Sequence, residues 1–105
     1  MNANDLDDLR RLLPALYATE ETSAESKKIL AKWFGLGSRW AWYAVEFDGN
    51  DICFGYVVSG FGSDCDEWGY FSLLELESAP SVERDRFFRP CTFGALELEN
   101  LNHEP

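Results

Sequence analysis

Two groups of carboxylates have the residue types and the close spacing that a cation site requires. The stretch DCDEWG places Asp64, Asp66 and Glu67 together, and the stretch DGND contains Asp48 and Asp51. Carboxylate oxygens are the hard ligands that Ca²⁺ and Mg²⁺ prefer. Neither stretch has the regular ligand alternation and terminal glutamate of an EF-hand loop, so solvated turns are the favoured interpretation. The sequence predicts no metal and no cofactor.

The residue sets of nucleophilic and zinc chemistry are incomplete. The single histidine, His103, lies in a polar C-terminal tail, so a catalytic triad, a Cys–His pair and the usual zinc sites lack a member in a structured segment. Cys53, Cys65 and Cys91 form an odd number without CxxC spacing, which is typical of unpaired thiols in a reducing cytoplasm. The glycines of the central segment lack the GK[ST] of a phosphate-binding loop. These absences predict a protein that is not an enzyme.

The stretch VERDRFF has two interpretations. Glu83 and Asp85 beside Arg84 and Arg86 have the types of a catalytic carboxylate with a guanidinium clamp. Alternating charge is more typical of an exposed edge strand, where it prevents edge-to-edge aggregation. We therefore predict a charged edge strand here.

The charge of the chain is strongly negative and unevenly distributed. The formal net charge is −10, from 19 acids and 9 bases. Between Trp40 and Val82 there is no Lys or Arg, and the acids are Glu46, Asp48, Asp51, Asp64, Asp66, Glu67, Glu75 and Glu77. Such an anion is repelled by nucleic acid and by anionic lipid, so we predict neither as a direct partner. The acidity serves either solubility alone or the recognition of a basic protein.

The chain is also rich in aromatic residues, with eight Phe, four Trp and four Tyr. One hypothesis places Trp40, Trp42, Tyr56, Trp68 and Tyr70 on one face of the predicted β-meander. Rings that fill pockets and acids that steer would suit a surface for a basic partner, but stacking across the sheet and against the helix, inside the core, is the favoured interpretation of the rings. The predicted partner-binding residues are the eight acids together with Trp68 and Tyr70.

The N-terminal segment NANDLDDLRRLLPALYA predicts an amphipathic helix. Its leucines recur at helical spacing, Asn4 is a candidate N-cap, and Pro14 should end or bend the helix. Residues 24–34 are ambiguous between helix and strand. Thr22 and Glu25 have capping-box spacing, whereas AKWF, GLGS and RWAWYAVEF read as two strands around a glycine turn. A third interpretation combines a helical turn near Ala24 to Lys28 with a strand over residues 29–34.

The strand pattern is clear from Trp40 onward. RWAWYAVEF, DGND and ICFGYVV predict a β-hairpin, and EWGYF predicts a further strand after a longer loop. Ser72 and Glu75 have capping-box spacing, so LLELES is predicted as a short helix near residues 73–78 that Pro80 ends. The fold class is therefore α+β, with the leucine-rich helix on an antiparallel β-meander of four or five strands. We expect one domain over residues 1–105 with a frayed tail near 99–105, no signal peptide and no membrane span.

The order of four blocks resembles a family of small bacterial proteins known as domain of unknown function family 2958. That family has a Trp-containing strand that ends in an acid, an FG strand, an E-x-G-Y-x-S-L-x-E-L block and an E-R-D-x-x-F block. Here they match AWYAVEFD, FGYV, EWGYFSLLELE and VERDRFF, which cover about half the chain. The N-terminal approach and the acidic loop SGFGSDCDEWG depart from the pattern. The resemblance implies an α+β fold, a bacterial or phage cytoplasm and carriage on a mobile element, and it implies no catalytic residue.

These features together favour a non-enzymatic acidic accessory protein of a plasmid, phage or integrative element that binds a basic protein surface, as a monomer or a homodimer. One form of this hypothesis is a nucleic-acid mimic that inhibits a CRISPR or restriction complex, because carboxylates can occupy a groove made for phosphates. The alternatives are a small metal-dependent enzyme or factor that uses the loop carboxylates, and a homodimeric structural subunit.

Overall fold

A computed structural model describes residues 3–59 and 65–96 of the chain, and its fold class is α+β, as predicted. In chain order the elements are α1 (Ala3–Leu12), a 3₁₀ turn (Ala24–Ser26), β1 (Lys28–Ile29), β2 (Ala31–Gly35), β3 (Ala41–Phe47), β4 (Ile52–Val58), β5 (Glu67–Ser72), α2 (Leu73–Ser78), β6 (Val82–Arg84) and β7 (Cys91–Thr92). Residues 93–96 are also helical. The large antiparallel sheet has the order β5-β4-β3-β2-β6, and β1 pairs with β7.

Helix α1 follows from the leucine spacing and from Pro14. It ends at Leu12, and its apolar stripe buries Leu9 completely and continues to Leu13. The helix begins at Ala3, so the prediction of Asn4 as its N-cap is wrong. The first-turn amides have no intrahelical partner, and the starting residue of a helix is therefore weakly determined by local sequence.

The ambiguous segment adopts the combined interpretation. The 3₁₀ turn at Ala24–Ser26 is followed by two short strands that end at Gly35. The predicted capping box at Thr22 is absent, because Ser23 is the residue before the turn and its side chain makes no capping bond. A single 3₁₀ turn leaves few amides for a cap to satisfy, so tertiary pairing of the strands determines this region.

Each face of the large sheet carries a buried hydrophobic cluster. The face under α1 and α2, which we call the helix face, buries Leu9, Leu13, Ala31, Trp33, Ala44, Phe47, Cys53, Leu73 and Leu76. The opposite face, which we call the tyrosine face, lies under β1, β7 and the helical residues 93–96, and buries Ile29, Ala41, Tyr43, Val45, Phe93 and Leu96. The buried hydrophobic residues thus form two clusters, one on each side of the large sheet.

Helix α2 returns the chain from β5 to the other edge of the sheet. The Glu75 amide donates to Ser72 Oγ over 3.1 Å, which confirms Ser72 as the cap, and Ser72 Oγ itself donates to Asp51 at 2.8 Å. Leu73 and Leu76 are buried beneath the helix. Strand β6 then pairs with β2 and forms the charged edge strand that VERDRFF predicted.

Replacement of Ser72 by alanine should destabilise the protein by about 1 kcal/mol, the usual contribution of an N-cap. The urea midpoint of the variant measures this effect. Ser78→Ala is the matched control, because Ser78 Oγ donates only to the Glu75 carbonyl at the exposed end of the same helix. Equal midpoints for the two variants would contradict the capping role of Ser72.

Candidate interaction surface

Four of the predicted acids lie at the two ends of β5, and the predicted acids do not form one patch. Asp51 and Glu75 lie near Ser72, where β5 enters α2, whereas Asp66 and Glu67 lie at the start of β5. The five-residue step from Glu67 to Ser72 corresponds to roughly 17 Å along a strand. Asp64 lies outside the described residues.

Glu46 is an interior residue. Only 3% of it is exposed, and its carboxylate accepts hydrogen bonds from the Tyr17 amide (2.8 Å), the Thr19 amide (3.0 Å) and the Thr19 hydroxyl. Lys27 Nζ donates in turn to Thr19 Oγ1 over 3.1 Å. A bulge between Ala44 and Glu46 shifts the alternation of β3 and places Glu46 opposite Phe54 on the tyrosine face. Glu46 therefore anchors the 14–22 loop, and its prediction as a partner-binding residue is wrong.

Two further predicted acids hold backbone amides. Asp48 Oδ1 accepts from the amides of Asn50 and Asp51 at 2.8 Å and of Ile52 at 3.1 Å. These bonds, the one from Asp51 foremost, lower the pKa of the Asp48 carboxyl. Asp51 Oδ1 accepts from Ser72 Oγ and from the Leu74 amide, both at 2.8 Å. In residues 3–59 and 65–96 no group of three or more His, Cys, Asp or Glu side chains is arranged to bind a metal ion.

The acids on α2 and at the start of β5 have different surroundings. Asp66 Oδ1 accepts from the Ser59 amide at 2.7 Å and is half-buried, whereas Glu67 and Glu75 are exposed. Glu77 lies beside Arg84 of β6 and beside Arg86, which follows β6. The pKa of the Arg86 guanidinium is raised mainly by its hydrogen bonds to Asp5, and Glu77 adds to this effect. Glu77 therefore belongs to a mixed-charge surface on the far edge of the sheet.

The hypothesis that five aromatic residues share one face is wrong. Trp42 is opposite Val57, whereas Tyr56 is opposite Trp68, so these pairs lie on opposite faces. Trp40 and Trp42 stack on the helix-face side, with ring centroids 5.7 Å apart. Successive side chains of a strand point to opposite faces. Trp42 therefore points to the helix face, and its neighbour Tyr43 points to the tyrosine face. On the tyrosine face the ring centroid of Phe54 lies 5.8 Å from that of Trp68 and 5.2 Å from that of Tyr70.

Tyr70 and Tyr17 form an exposed pair that only the structure identifies. The exposed fraction is 56% for Tyr70 and 59% for Tyr17, and the two phenol groups interact electrostatically. The pKa of the Tyr70 phenol is raised by loss of hydration and by Tyr17, with smaller effects of Glu46 and Glu20. Tyr17 has φ +71°, a conformation that non-glycine residues rarely adopt, and its amide is held by Glu46. No sequence pattern marks Tyr17, because its position depends on that distant carboxylate.

The cysteines offer no activated thiol in the core. Cys53 is completely buried, and desolvation raises the pKa of its thiol, with Asp48 and Asp51 adding to the effect. Cys65 is exposed at the approach to β5. Because a thiol must ionise to act as a nucleophile, Cys53 has a structural role.

The two edges of the large sheet differ in their protection. Edge strand β6 has three residues, of which Glu83 is exposed and Arg84 lies over the Trp33 ring at 5.8 Å. Edge strand β5 has six residues, EWGYFS, and contains neither Lys, Arg nor Pro. Charges, proline and short length are the usual protections of a sheet edge. Among the described residues, β5 itself carries only the carboxylate of Glu67 as a protecting charge.

No family model, curated protein or solved structure matches the chain. The resemblance to domain of unknown function family 2958 stays a prediction. Among the described residues, no helix has the length and apolar character needed to cross a membrane.

Proposed function

We propose that this chain is a non-enzymatic acidic accessory protein that binds an extended basic segment of another protein along the outer edge of β5. The observation that carries the proposal is the length of this edge strand, six residues that include no Lys, Arg or Pro. Strand addition at a sheet edge is a common mode of peptide recognition, in which the main chain supplies affinity and alternate side chains supply specificity.

The register of β5 identifies the groups that such a segment would use. The Leu73 amide donates to the Asp51 carbonyl at 2.9 Å, so this position is a hydrogen-bonded pair of the β4–β5 ladder. Such pairs alternate with non-hydrogen-bonded pairs along antiparallel strands. By this alternation the amide and carbonyl of Gly69 point to β4, and those of Trp68 and Tyr70 point away from the sheet. These outward groups are the expected partners of an added strand.

Charge and exposed rings favour a basic occupant over a second copy of the chain. Glu67 and Glu75 are exposed at the two ends of the edge, and Tyr17 and Tyr70 are exposed beside it. Aromatic side chains and opposite charges are typical features of specific interfaces. Two copies would each carry a formal charge of −10 and would repel each other.

A more specific form of the proposal places the chain on a plasmid, phage or integrative element in the bacterial cytoplasm, where it inhibits a CRISPR or restriction complex as a nucleic-acid mimic. The support for this form is the acidity, the small size and the resemblance described above. The described acids favour strand addition over mimicry of a phosphate row, because Glu46, Asp48 and Asp51 bind the chain's own backbone.

Binding of a capped peptide of alternating valine and lysine tests the proposal. We expect the amides of Trp68 and Tyr70 to exchange with solvent in the free protein and to become protected in the complex. The affinity should fall by about tenfold or more between low and high salt, because exposed charges are screened. A peptide with N-methylated backbone amides keeps its charge and should not bind.

Two lysine substitutions provide the matched controls on the protein side. Tyr70→Lys adds a protecting charge to the β5 edge and should weaken peptide binding by about tenfold or more, whereas Glu83→Lys makes a larger charge change on the β6 edge and should have little effect. Equal loss in the two variants, or binding of the N-methylated peptide, would contradict the proposed edge. A protein that elutes as a dimer with protected Trp68 and Tyr70 amides would show that a second copy is the occupant.

A further inference from the structure

An open groove lies on the helix face beside β5. It has a volume of about 490 Å³ and is lined mainly by apolar and aromatic side chains, among them Trp40, Trp42, Val57 and Phe71. Exposed Glu67 contributes a carboxylate to its lining. Gly69 also lines the groove, and a Cβ atom placed there would meet no atom within 4 Å other than those of its chain neighbours. The absence of a side chain at Gly69 therefore leaves space that a partner can enter.

The register of the sheet orders the groups of this groove. Glu67 is opposite Val57, Val57 is opposite Trp42, and Trp42 is opposite Trp33. Glu67 and Trp42 are thus separated by two strand spacings, roughly 10 Å, with Val57 between them. A planar cation stacked against an indole can reach a carboxylate across this distance.

The same row already contains one cation on an indole. Arg84 pairs with Trp33 at the opposite end of the row, and its guanidinium carbon lies 5.8 Å from the ring centre. Tryptophan is the most favourable ring for such a contact, and arginine is the most frequent cation. In order across the sheet, the row consists of Arg84, Trp33, Trp42, Val57 and Glu67. The Arg84 end contains a cation on an indole. The Glu67 end contains an indole, Trp42, and a carboxylate, but this row has no cation there.

We propose that the groove over Gly69 binds an arginine side chain of the basic partner, with the guanidinium stacked on Trp42 and paired with Glu67. This inference rests on the proposed function, because the arginine belongs to the segment that pairs with β5. A residue of that segment beside Gly69 has its side chain on the helix face, since residues opposite each other on paired strands share a face. Charge complementarity favours arginine, because the chain from Trp40 to Val82 has eight acids and no base.

The test compares three forms of the valine–lysine peptide, in which the central lysine is kept or replaced by arginine or by citrulline. Citrulline has nearly the shape of arginine and no charge. We expect the arginine peptide to bind at least about tenfold more tightly than the citrulline peptide, and to shift the indole N–H resonances of Trp40 and Trp42. Glu67→Gln should remove most of this preference.

Gly69→Val tests the space itself, because valine is well accepted in strands and its side chain would fill the groove. In this variant the arginine and citrulline peptides should bind with equal affinity, while the Trp68 and Tyr70 amides still become protected. Equal binding of the two peptides to the parent protein, or an unchanged preference in Gly69→Val, would overturn the groove and leave the edge proposal standing. Failure of all three peptides to bind the parent would overturn both.

Discussion

Replacement of Gly55 by alanine is expected to be among the most damaging single changes in this protein. A Cβ atom at Gly55 would overlap the carbonyl oxygen of Tyr43 on the neighbouring strand and would lie 2.8 Å from the carbonyl carbon. Backbone atoms of a central strand cannot move aside without breaking the ladder, and forced overlap in a core costs about 3 kcal/mol. For a domain of this size that loss corresponds to a fall in melting temperature of roughly 15 °C.

The cross-strand neighbour of Gly55 is the control. Gly69 is paired directly with Gly55, yet a Cβ atom there meets nothing within 4 Å. Gly69→Ala should therefore leave the melting temperature unchanged or raise it slightly, since alanine restricts the unfolded chain. Similar melting temperatures for the two alanine variants would contradict the close approach of the Tyr43 carbonyl to Gly55.

Glu46→Gln should destabilise the protein by about 2 kcal/mol, although the two side chains have nearly the same shape. One carboxylate oxygen becomes an NH₂ group that faces a donor, so either the Tyr17 amide or the Thr19 amide loses its acceptor. An unsatisfied buried donor costs about 1–3 kcal/mol. Urea unfolding measures the change, and amide exchange at Tyr17 and Thr19 should become faster as the loop is released.

Glu75→Gln is the matched substitution at an exposed site. Its carboxylate lies in solvent on α2, so the change in unfolding free energy should stay within about 0.5 kcal/mol. If Glu46→Gln has an effect as small as that of Glu75→Gln, then Glu46 is not the anchor of the 14–22 loop.

Local sequence was sufficient for the elements whose signals are contained within a few residues. Pro14, the Asp48 turn and the Ser72 cap each act on neighbouring backbone groups, and each element ends or begins as predicted. The pairing of β1 with β7 was missed, because two-residue strands show no periodicity and their partners are far apart in the chain. The covering of the tyrosine face by Phe93 and Leu96 depends on that pairing, so it was missed as well.

The candidate site shows the same division. The sequence identified the acids and rings around β5 by type, but the location of each depends on register. One extra residue in β3 turns Glu46 inward, and strand alternation separates Trp42 from Tyr56. The position of Tyr17 depends on the hydrogen bond between its amide and the Glu46 carboxylate. The groove over Gly69 depends on Trp42, which lies two strands away from β5. Such relations between distant residues have no local signal in a single sequence.

The unequal edges of the large sheet also determine the stoichiometry of any assembly that extends it. Growth of a sheet into a fibre needs two open edges on every subunit, and here the short charged strand β6 closes one of them. A strand added at β5 therefore completes the sheet on its open side and leaves no equivalent site for the next molecule. Extension of this sheet ends with one partner segment or, if two chains pair through β5, with a closed two-fold dimer.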